Sequence, residues 1–515
     1  MSFQLKPKAV ELPFSFQSLG MAAGLKAAAQ RSPEKIAYTQ GNRQRSYAAL
    51  VERVDRVAAA LRSGCGLSAG QHIAIISKNS IEYMEIVFGA AQAGLPIATI
   101  NPRLAAPELV AICDDAEARV VFADADSATA LRDSRFATAT RVITIGAELE
   151  SLLAQARPMS SLASVPEWGT FTIPYTSGTT GKPKGVLVSH RSRALTLFGM
   201  AAEYGCFGPD DRFLAIAPMC HGAGMIFSLA PVFFGGHCEV MEKFEPAEVF
   251  SRLRAGAMTG FFGVPTHFHA MMSLERRALD EEQPRHLRTV ISNAAALPQE
   301  MKEQLVAYFG EGLLHETYGS TEAGIVTNLR PADQLRKQQC VGQPFPATLV
   351  ELRHDDGSLC ATDEVGELFS ASPYLFNGYW RKPEATEEAW KDGWVTVGDL
   401  ARRDADGHYY IVDRKKDMVI SGGVNIYPRE IEEVLLRHPG IAEVAIVGVP
   451  DEKWGERLRA FVVAKPGSSL TPEAITAYCE GQISAMKTPK DVAFIDQIPR
   501  NANGKVLKTE LRRRS

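Results

Sequence analysis

The chain has 515 residues, too many for one ordinary core, so at least two domains are expected. Hydrophobic residues make up 45% and charged ones 23%, the balance of a globular protein in water. Lys+Arg 56 against Asp+Glu 60 leaves a net charge of −4, which argues against a general nucleic-acid binder.

From Ile36 to about Asp124, strand-like apolar runs alternate with helical patterns. Ala48–Ser63 and Ile81–Ala93 repeat apolar residues at helical spacing, while His72–Ser77 and Pro96–Ile100 read as buried strands. Such alternation predicts an α/β fold with parallel sheet and helices on its faces. The Ala-rich segment 125–168 reads as a helix followed by a Ser- and Pro-rich loop. Phe171–Pro174 and Val186–Val188 read as strands, and Ser189 is placed to cap a helix over Arg191–Tyr204. After Asp413 the texture changes. Polar Arg414-Lys-Lys-Asp417 separates strand-like Tyr409–Val412 from Met418–Ile420. A helix (Pro428–Leu436), two strands (Ala442–Val449, Leu458–Ala464), a helix (Pro472–Ser484), a strand (Val492–Ile495) and a basic terminal helix follow. The expected architecture is a large multi-subdomain α/β domain over 1–415 and a small, mobile α+β domain over 416–515.

The eight cysteines are scattered with no Cys-x-x-Cys pair, and they read as reduced, buried thiols rather than a disulfide framework or zinc site. No apolar signal core follows Met1, the uncharged run between His221 and His237 is too short for a membrane span, and Arg512-Arg-Arg-Ser515 carries no peroxisomal or lipidation signal. A cytoplasmic protein is the expectation, with monomer and homodimer both open.

The stretch Tyr175-Thr-Ser-Gly-Thr-Thr-Gly-Lys-Pro-Lys-Gly185 concentrates glycines, hydroxyls and lysines without an acid. Glycine-rich turns expose amide N–H groups to an anion, and hydroxyls and lysines add donors suited to phosphate. It is not a Walker loop: only Thr179 and Thr180 separate Gly178 from Gly181, and Pro183 follows Lys182. A basic surface turn is the bland alternative. Further along come His315-Glu-Thr-Tyr-Gly-Ser-Thr-Glu322, Trp394-Val-Thr-Val-Gly-Asp399 and Pro499-Arg-Asn-Ala-Asn-Gly-Lys505.

In that order these motifs resemble those of the adenylate-forming superfamily: acyl-CoA synthetases, aryl-CoA ligases, luciferases and peptide-synthetase adenylation domains. The resemblance implies two steps. A carboxylate attacks the α-phosphate of ATP, giving acyl-adenylate and pyrophosphate; an acceptor, most often the thiol of CoA, then displaces AMP. It places Thr176, Ser177, Gly178, Thr179, Thr180, Gly181, Lys182 and Lys184 around the nucleotide, with Asn293, Ala294, Ala295, Tyr318, Gly319 and Thr321. Tyr318 would stack on adenine, Thr321 would donate to phosphate, and Glu322 with Thr180 would hold Mg²⁺, a hard cation that prefers oxygen ligands. Asp399 would grip the ribose hydroxyls with Arg414 at the same sugar. Lys416 would be the interdomain hinge, and Lys505 would reach the ATP site.

Ser421-Gly422-Gly423 resembles the turn lining the pantetheine channel of CoA ligases. Trp454 resembles a tryptophan that stacks on the CoA nucleotide, although Met486 and Thr488 replace its usual partners. For the acyl pocket the resemblance gives Phe198, His221, Gly222, Ala223, Phe262, Thr317 and Gly324. A core role for His221 stays open, and His267-Phe-His269 reads as pocket wall or core. The set is apolar and holds no cation, so a monocarboxylic acid is expected, either a medium-to-long fatty acid or an extended aryl acid. A non-CoA acceptor and a catalytically silent nucleotide-binding protein are the alternatives.

Overall fold

Short, uniformly apolar strands set the architecture. In the computed structural model, which describes residues 18–157, 165–177, 183–255, 257–274, 284–500 and 506–514, the strands Ile73–Ile76, Ile97–Ile100, Val120–Ala123, Gly260–Gly263 and Thr289–Ser292 are buried at every position. Strands covered on both faces belong in parallel sheet between helices. Contacts divide the chain into two compact units, residues 1–350 with 370–395, and 351–369 with 396–515.

The first unit holds two large sheets. One runs, in spatial order, through Gln343–Pro344, Gly324–Leu329, Leu314–Ser320, Thr289–Ser292, Gly260–Gly263, Arg212–Ala215, His237–Val240, Ile36–Gln40 and Arg43–Ser46. Its central members, from Ile36–Gln40 to Leu314–Ser320, pair in parallel. The other runs from Gly378–Tyr379 through Pro183–Ser189, Thr170–Thr172, Ile97–Ile100, Ile73–Ile76 and Val120–Ala123 to Arg141–Thr144. The main core packs helices Met21–Arg31, Tyr47–Ala59 and Ile81–Ala93 with the fully buried Tyr38, Phe88, Phe122, Phe213 and Phe227. The Tyr38 and Tyr47 hydroxyls donate to the carbonyls of Ser228 and Gly236 at 3.0 and 2.7 Å, so neither is buried unpaired.

Local signals act as expected at several ends. Ser189 accepts from the Ser192 amide at 3.0 Å and caps the helix His190–Tyr204, which stops at Gly205 in the left-handed region. Segment 125–168 departs from its reading. Between the helices Ala125–Leu131 and Ala147–Gln155 the strand Arg141–Thr144 adds to the parallel sheet beside Val120–Ala123. As an edge strand it has only one buried residue, and its sequence lacks the apolar run that marks its neighbours.

In the second unit, Asp399–Arg403 pairs with Tyr409–Arg414. A further sheet is ordered Val424–Ile426, Val419–Ser421, Gly455–Ala464, Ile441–Asp451, antiparallel except that Asp491–Phe494 joins Gly455–Ala464 in parallel. The helix expected over Pro472–Ser484 ends at Cys479, where Glu480 turns extended and Gly481 is left-handed. Lys416 lies within this unit.

Burial pushes His190, His237, His267 and His315 of the first unit down to about 4. These rings are neutral in the folded chain but protonate below about 6.5 once unfolded. Their contribution is therefore complete above pH 6.5 and is lost as pH falls through 4. The melting temperature is expected to fall steadily across that window; a flat profile there would show that the four rings are protonated without cost.

Candidate active site

The hairpin Leu314–Ser320/Gly324–Leu329 carries Tyr318, Thr321 and Glu322. Its register shifts between Tyr318 and Gly319. A Cβ on Gly319 would collide with the Gly324 carbonyl, so only glycine closes the hairpin there. Gly324 is left-handed, φ 70°, and a Cβ on it would lie 2.7 Å from that of Tyr374. Glu322, nearly buried, accepts at Oε1 from the Tyr379 hydroxyl at 2.8 Å. Burial, and then the Glu322 carboxylate, raises that hydroxyl well above its ordinary value, so it remains a donor. The same Tyr379 ring lies 5.0 Å from the Lys184 ammonium. One side chain thus joins the end of the stretch expected to bind phosphate to the acid expected to hold the metal.

Next to this hairpin, at the carboxyl end of Thr289–Ser292, lies the Asn293–Ala296 turn. Asn293 Nδ2 donates to Thr317 Oγ1 at 2.9 Å, and Thr317 donates to the Ser292 carbonyl at 3.1 Å. Leu297 N donates to Glu316 Oε1 at 2.9 Å, and Glu316 forms a buried ion pair with Lys302 at 2.5 Å. Ala294 is held at φ 76°, a conformation that costs a non-glycine residue energy and gathers at functional sites. Carboxyl ends of parallel strands are where open α/β sheets bind ligands. Of the signature stretch, Tyr175–Ser177 pairs with Pro183–Ser189, and Tyr175 donates to Asp115 at 2.7 Å. Gly178, Thr179, Thr180, Gly181 and Lys182 lie outside the described residues.

In the second unit Asp399 and Arg414 are direct cross-strand partners, with Nε 3.3 Å from Oδ1. The expected ribose pair is therefore brought together. Lys415 pairs with Asp355 and Glu367 at 2.7 and 2.9 Å, and the Lys416 carbonyl accepts from Arg512 at 3.3 Å. Gly422 and Gly423, φ 59° and 80°, form the turn between Val419–Ser421 and Val424–Ile426. Gly422 N donates to the Trp454 carbonyl at 2.8 Å, and a Cβ on Gly422 would lie 2.7 Å from the indole. The half-exposed Trp454 ring has the Lys453 and Lys490 ammoniums 5.0 and 4.9 Å from it. An aromatic plane flanked by two cations suits a base carrying phosphates. Lys505 lies outside the described residues.

His221 ends the Pro218–His221 stretch and precedes the helix Gly222–Phe233, whose start has no side-chain cap. Asn79 fixes this stretch, donating to the Ala217 and Met241 carbonyls and accepting from Met219 N at 2.8 Å. Phe262 stacks on Phe227 at 4.4 Å, and Ala223 is partly buried against the same core.

The model of the AMP-binding enzyme family matches residues 25–380, and that of its C-terminal domain matches 430–505. The 2-succinylbenzoate–CoA ligase of Geobacillus kaustophilus is 34% identical over 95% of this chain and 97% of its own length. A long-chain-fatty-acid–CoA ligase of Mycobacterium tuberculosis is 35% identical over 95% and 97%. The crystal structure of ATP-bound MatB from Rhodopseudomonas palustris superposes with a TM-score of 0.89, at 29% identity over 97% of this chain and 99% of that one. The chain belongs to the AMP-binding enzyme family, in its acyl-CoA and aryl-CoA ligase branch.

Within this family member, three observations bear on the expected acyl wall. Phe198 is 47% exposed and meets Phe233 and Phe234 edge-on, so its ring neighbours are not those of Phe262. Gly324 serves the hairpin, and a large side chain there would test folding before pocket volume. Arg193 is a cation that the sequence reading did not count beside Gly222. Its side chain on the helix His190–Tyr204 is 5% exposed, its Nε has no partner, and Nη2 lies 3.8 Å from where a Cβ on Gly222 would sit. Burial without a counter-ion pushes it down to about 10. Sequence reading passed over it because Arg191 and Arg193 look like two basic residues of one surface helix. Tyr379 and Asn79 were missed as well. Asn377-Gly-Tyr-Trp380, a glycine turn between aromatics, was the available signal for the first, whereas a lone Asn gives none.

Proposed function

We propose that this acid–CoA ligase activates a carboxylic acid with an extended apolar body, fatty or aryl, as its acyl-adenylate and transfers the acyl group to CoA. The observation that supports the acid class is the Phe227–Phe262 stack in the core against which Ala223 packs, an aromatic wall next to a residue too small to block a long body. In this reading Tyr318, Asn293, Ala294 and Ala295 border the adenine, Thr321 donates to phosphate, Asp399 and Arg414 hold the ribose, and Lys505 offsets charge at the attacked phosphorus. Gly422, Gly423 and Trp454 receive CoA. A buried carboxylate with one oxygen already bonded, Glu322, fits Mg²⁺ that completes its shell from phosphate oxygens and water. Bound there, the ion would neutralise charge on the phosphates during attack. Among the described residues no helix is long and apolar enough to cross a membrane.

The test is pyrophosphate release over a panel of acids, with and without CoA, followed by thioester detection. Ala223→Leu is expected to lower kcat/KM for the longest acids while sparing the smallest, by roughly 0.8 kcal/mol per excluded methylene. An unchanged acid profile would remove Ala223 from the pocket. Pyrophosphate release without thioester formation would remove CoA as acceptor.

A further inference from the structure

We propose that Arg193 is the counter-ion for a second carboxylate on the acid, so that the substrate is a dicarboxylic acid with an apolar body, engaged as a monothioester at its other end. The inference rests on the acid–CoA ligase reading and narrows its substrate class.

Three observations carry it. First, the cation is buried and unpaired. Taking a guanidinium out of water costs several kcal/mol unless a partner offsets it. Its helix neighbours show the usual solution: Arg191 pairs with Glu167 at 2.9 Å, and Glu203 accepts from Arg330 at 2.7 Å and from Asn328 at 2.8 Å. Arg193 has no acid and no hydrogen-bond acceptor among the described residues, and its Nε is wholly enclosed. An unpaired buried cation is the state expected of a free enzyme whose ligand supplies the anion.

Second, it points at the acyl wall. The nearest approach to the missing Gly222 side chain is the Arg193 Nη2, at 3.8 Å. Gly222 follows His221 and precedes Ala223, so the guanidinium faces the segment already assigned to the substrate's body.

Third, the same spot is the start of a helix. Gly222–Phe233 has no side-chain cap and no acid in its first turn. The first-turn amides of a helix have no intrahelical acceptor, and the positive end of its dipole favours an anion. Gly222, the first residue of this helix, puts no side chain between the amides and a ligand. A planar carboxylate is the group that meets a guanidinium fork and amide donors together.

The experiment uses the full chain with ATP, Mg²⁺ and CoA. Thioester formation is measured for pairs of acids of equal length that differ only in a terminal methyl or a terminal carboxylate, in both alkyl and aryl series. The expected result is a kcat/KM preference for the diacid of roughly a hundredfold or more, as for a site whose buried polar group would otherwise stay unpaired. Arg193→Leu is expected to reverse the preference by slowing the diacid and speeding the monoacid, and Arg193→Lys to keep part of it. Binding is read separately: the diacid alone should raise the melting temperature of the parent protein and not of Arg193→Leu.

A parent enzyme that prefers the monoacid, with the same ratio in Arg193→Leu, overturns the proposal and leaves the ligase reading standing. A chain that makes no thioester from any acid, yet is stabilised by the diacid through Arg193, defeats the ligase reading and the monothioester with it, and leaves only Arg193 as the carboxylate's counter-ion. Neither turnover nor stabilisation by any diacid overturns both. If Arg193→Leu fails to fold, the parent's preference and Arg193→Lys decide. Preference for a terminal sulfonate over a carboxylate would overturn the carboxylate assignment.

Discussion

Lys505→Ala is expected to slow adenylation by roughly 10²–10³-fold or more, the usual loss when a preorganised charge is removed from a developing one. The same variant should still convert supplied acyl-adenylate and CoA to thioester. The resemblance assigns Lys505 to the first half-reaction and the Gly422–Gly423 turn to the second, and this division makes the two steps separable by mutation. Gly423 is the complementary probe. No atom lies within 4 Å of a Cβ placed on it, so a side chain meets open space, and the cost comes from its left-handed backbone. Gly423→Leu should therefore release pyrophosphate near the parent rate and lose thioester formation. The measurement is each half-reaction followed alone in both purified variants. Equal loss of both halves in both variants would sink the two-step division of labour and, with it, the role proposed for the Lys416 linker.

The parallel sheets were legible because their strands are short apolar runs between helices of clear period. Ser189 announced its helix by chemistry alone, since a capping hydroxyl depends only on its neighbours. The strand Arg141–Thr144 was not legible: an edge position asks for little burial, so its sequence carries little pattern. The same divide runs through the site. Tyr318, Glu322, Asn293 and Asp399 stand in motifs, and the structure ties Asn293 to Thr317 and Asp399 to Arg414. Arg193 had no such motif. Whether an arginine on a helix is solvated or buried depends on what packs around it, here including Gly222 at the start of the next helix, and that is a tertiary fact. The expectation of an apolar monocarboxylic acid counted only the wall positions that a motif could supply, and so left this cation out.

Glu322 and Tyr379 offer the other large effect. Glu322→Gln removes the charge expected to hold Mg²⁺ but keeps a side chain of the same shape, able to accept from the Tyr379 hydroxyl. Adenylation should fall on the order of a hundredfold or more, because metal-assisted neutralisation contributes several kcal/mol. The Mg²⁺ concentration giving half the maximal rate should rise with it. Tyr379→Phe tests how the carboxylate is held. It removes only the hydroxyl that donates to Glu322 at 2.8 Å and keeps the ring beside Lys184. A hydrogen bond to a charged group contributes about 1.5–3 kcal/mol, so a loss of roughly tenfold or more is expected, again with a raised Mg²⁺ requirement. The two variants together should lose little more than Glu322→Gln alone, since Tyr379 acts through the acid it positions. A Tyr379→Phe protein with parent rate and parent Mg²⁺ requirement would show that the hydroxyl merely fills a buried bond. Additive losses in the double variant would mean that the Tyr379 hydroxyl acts independently of Glu322.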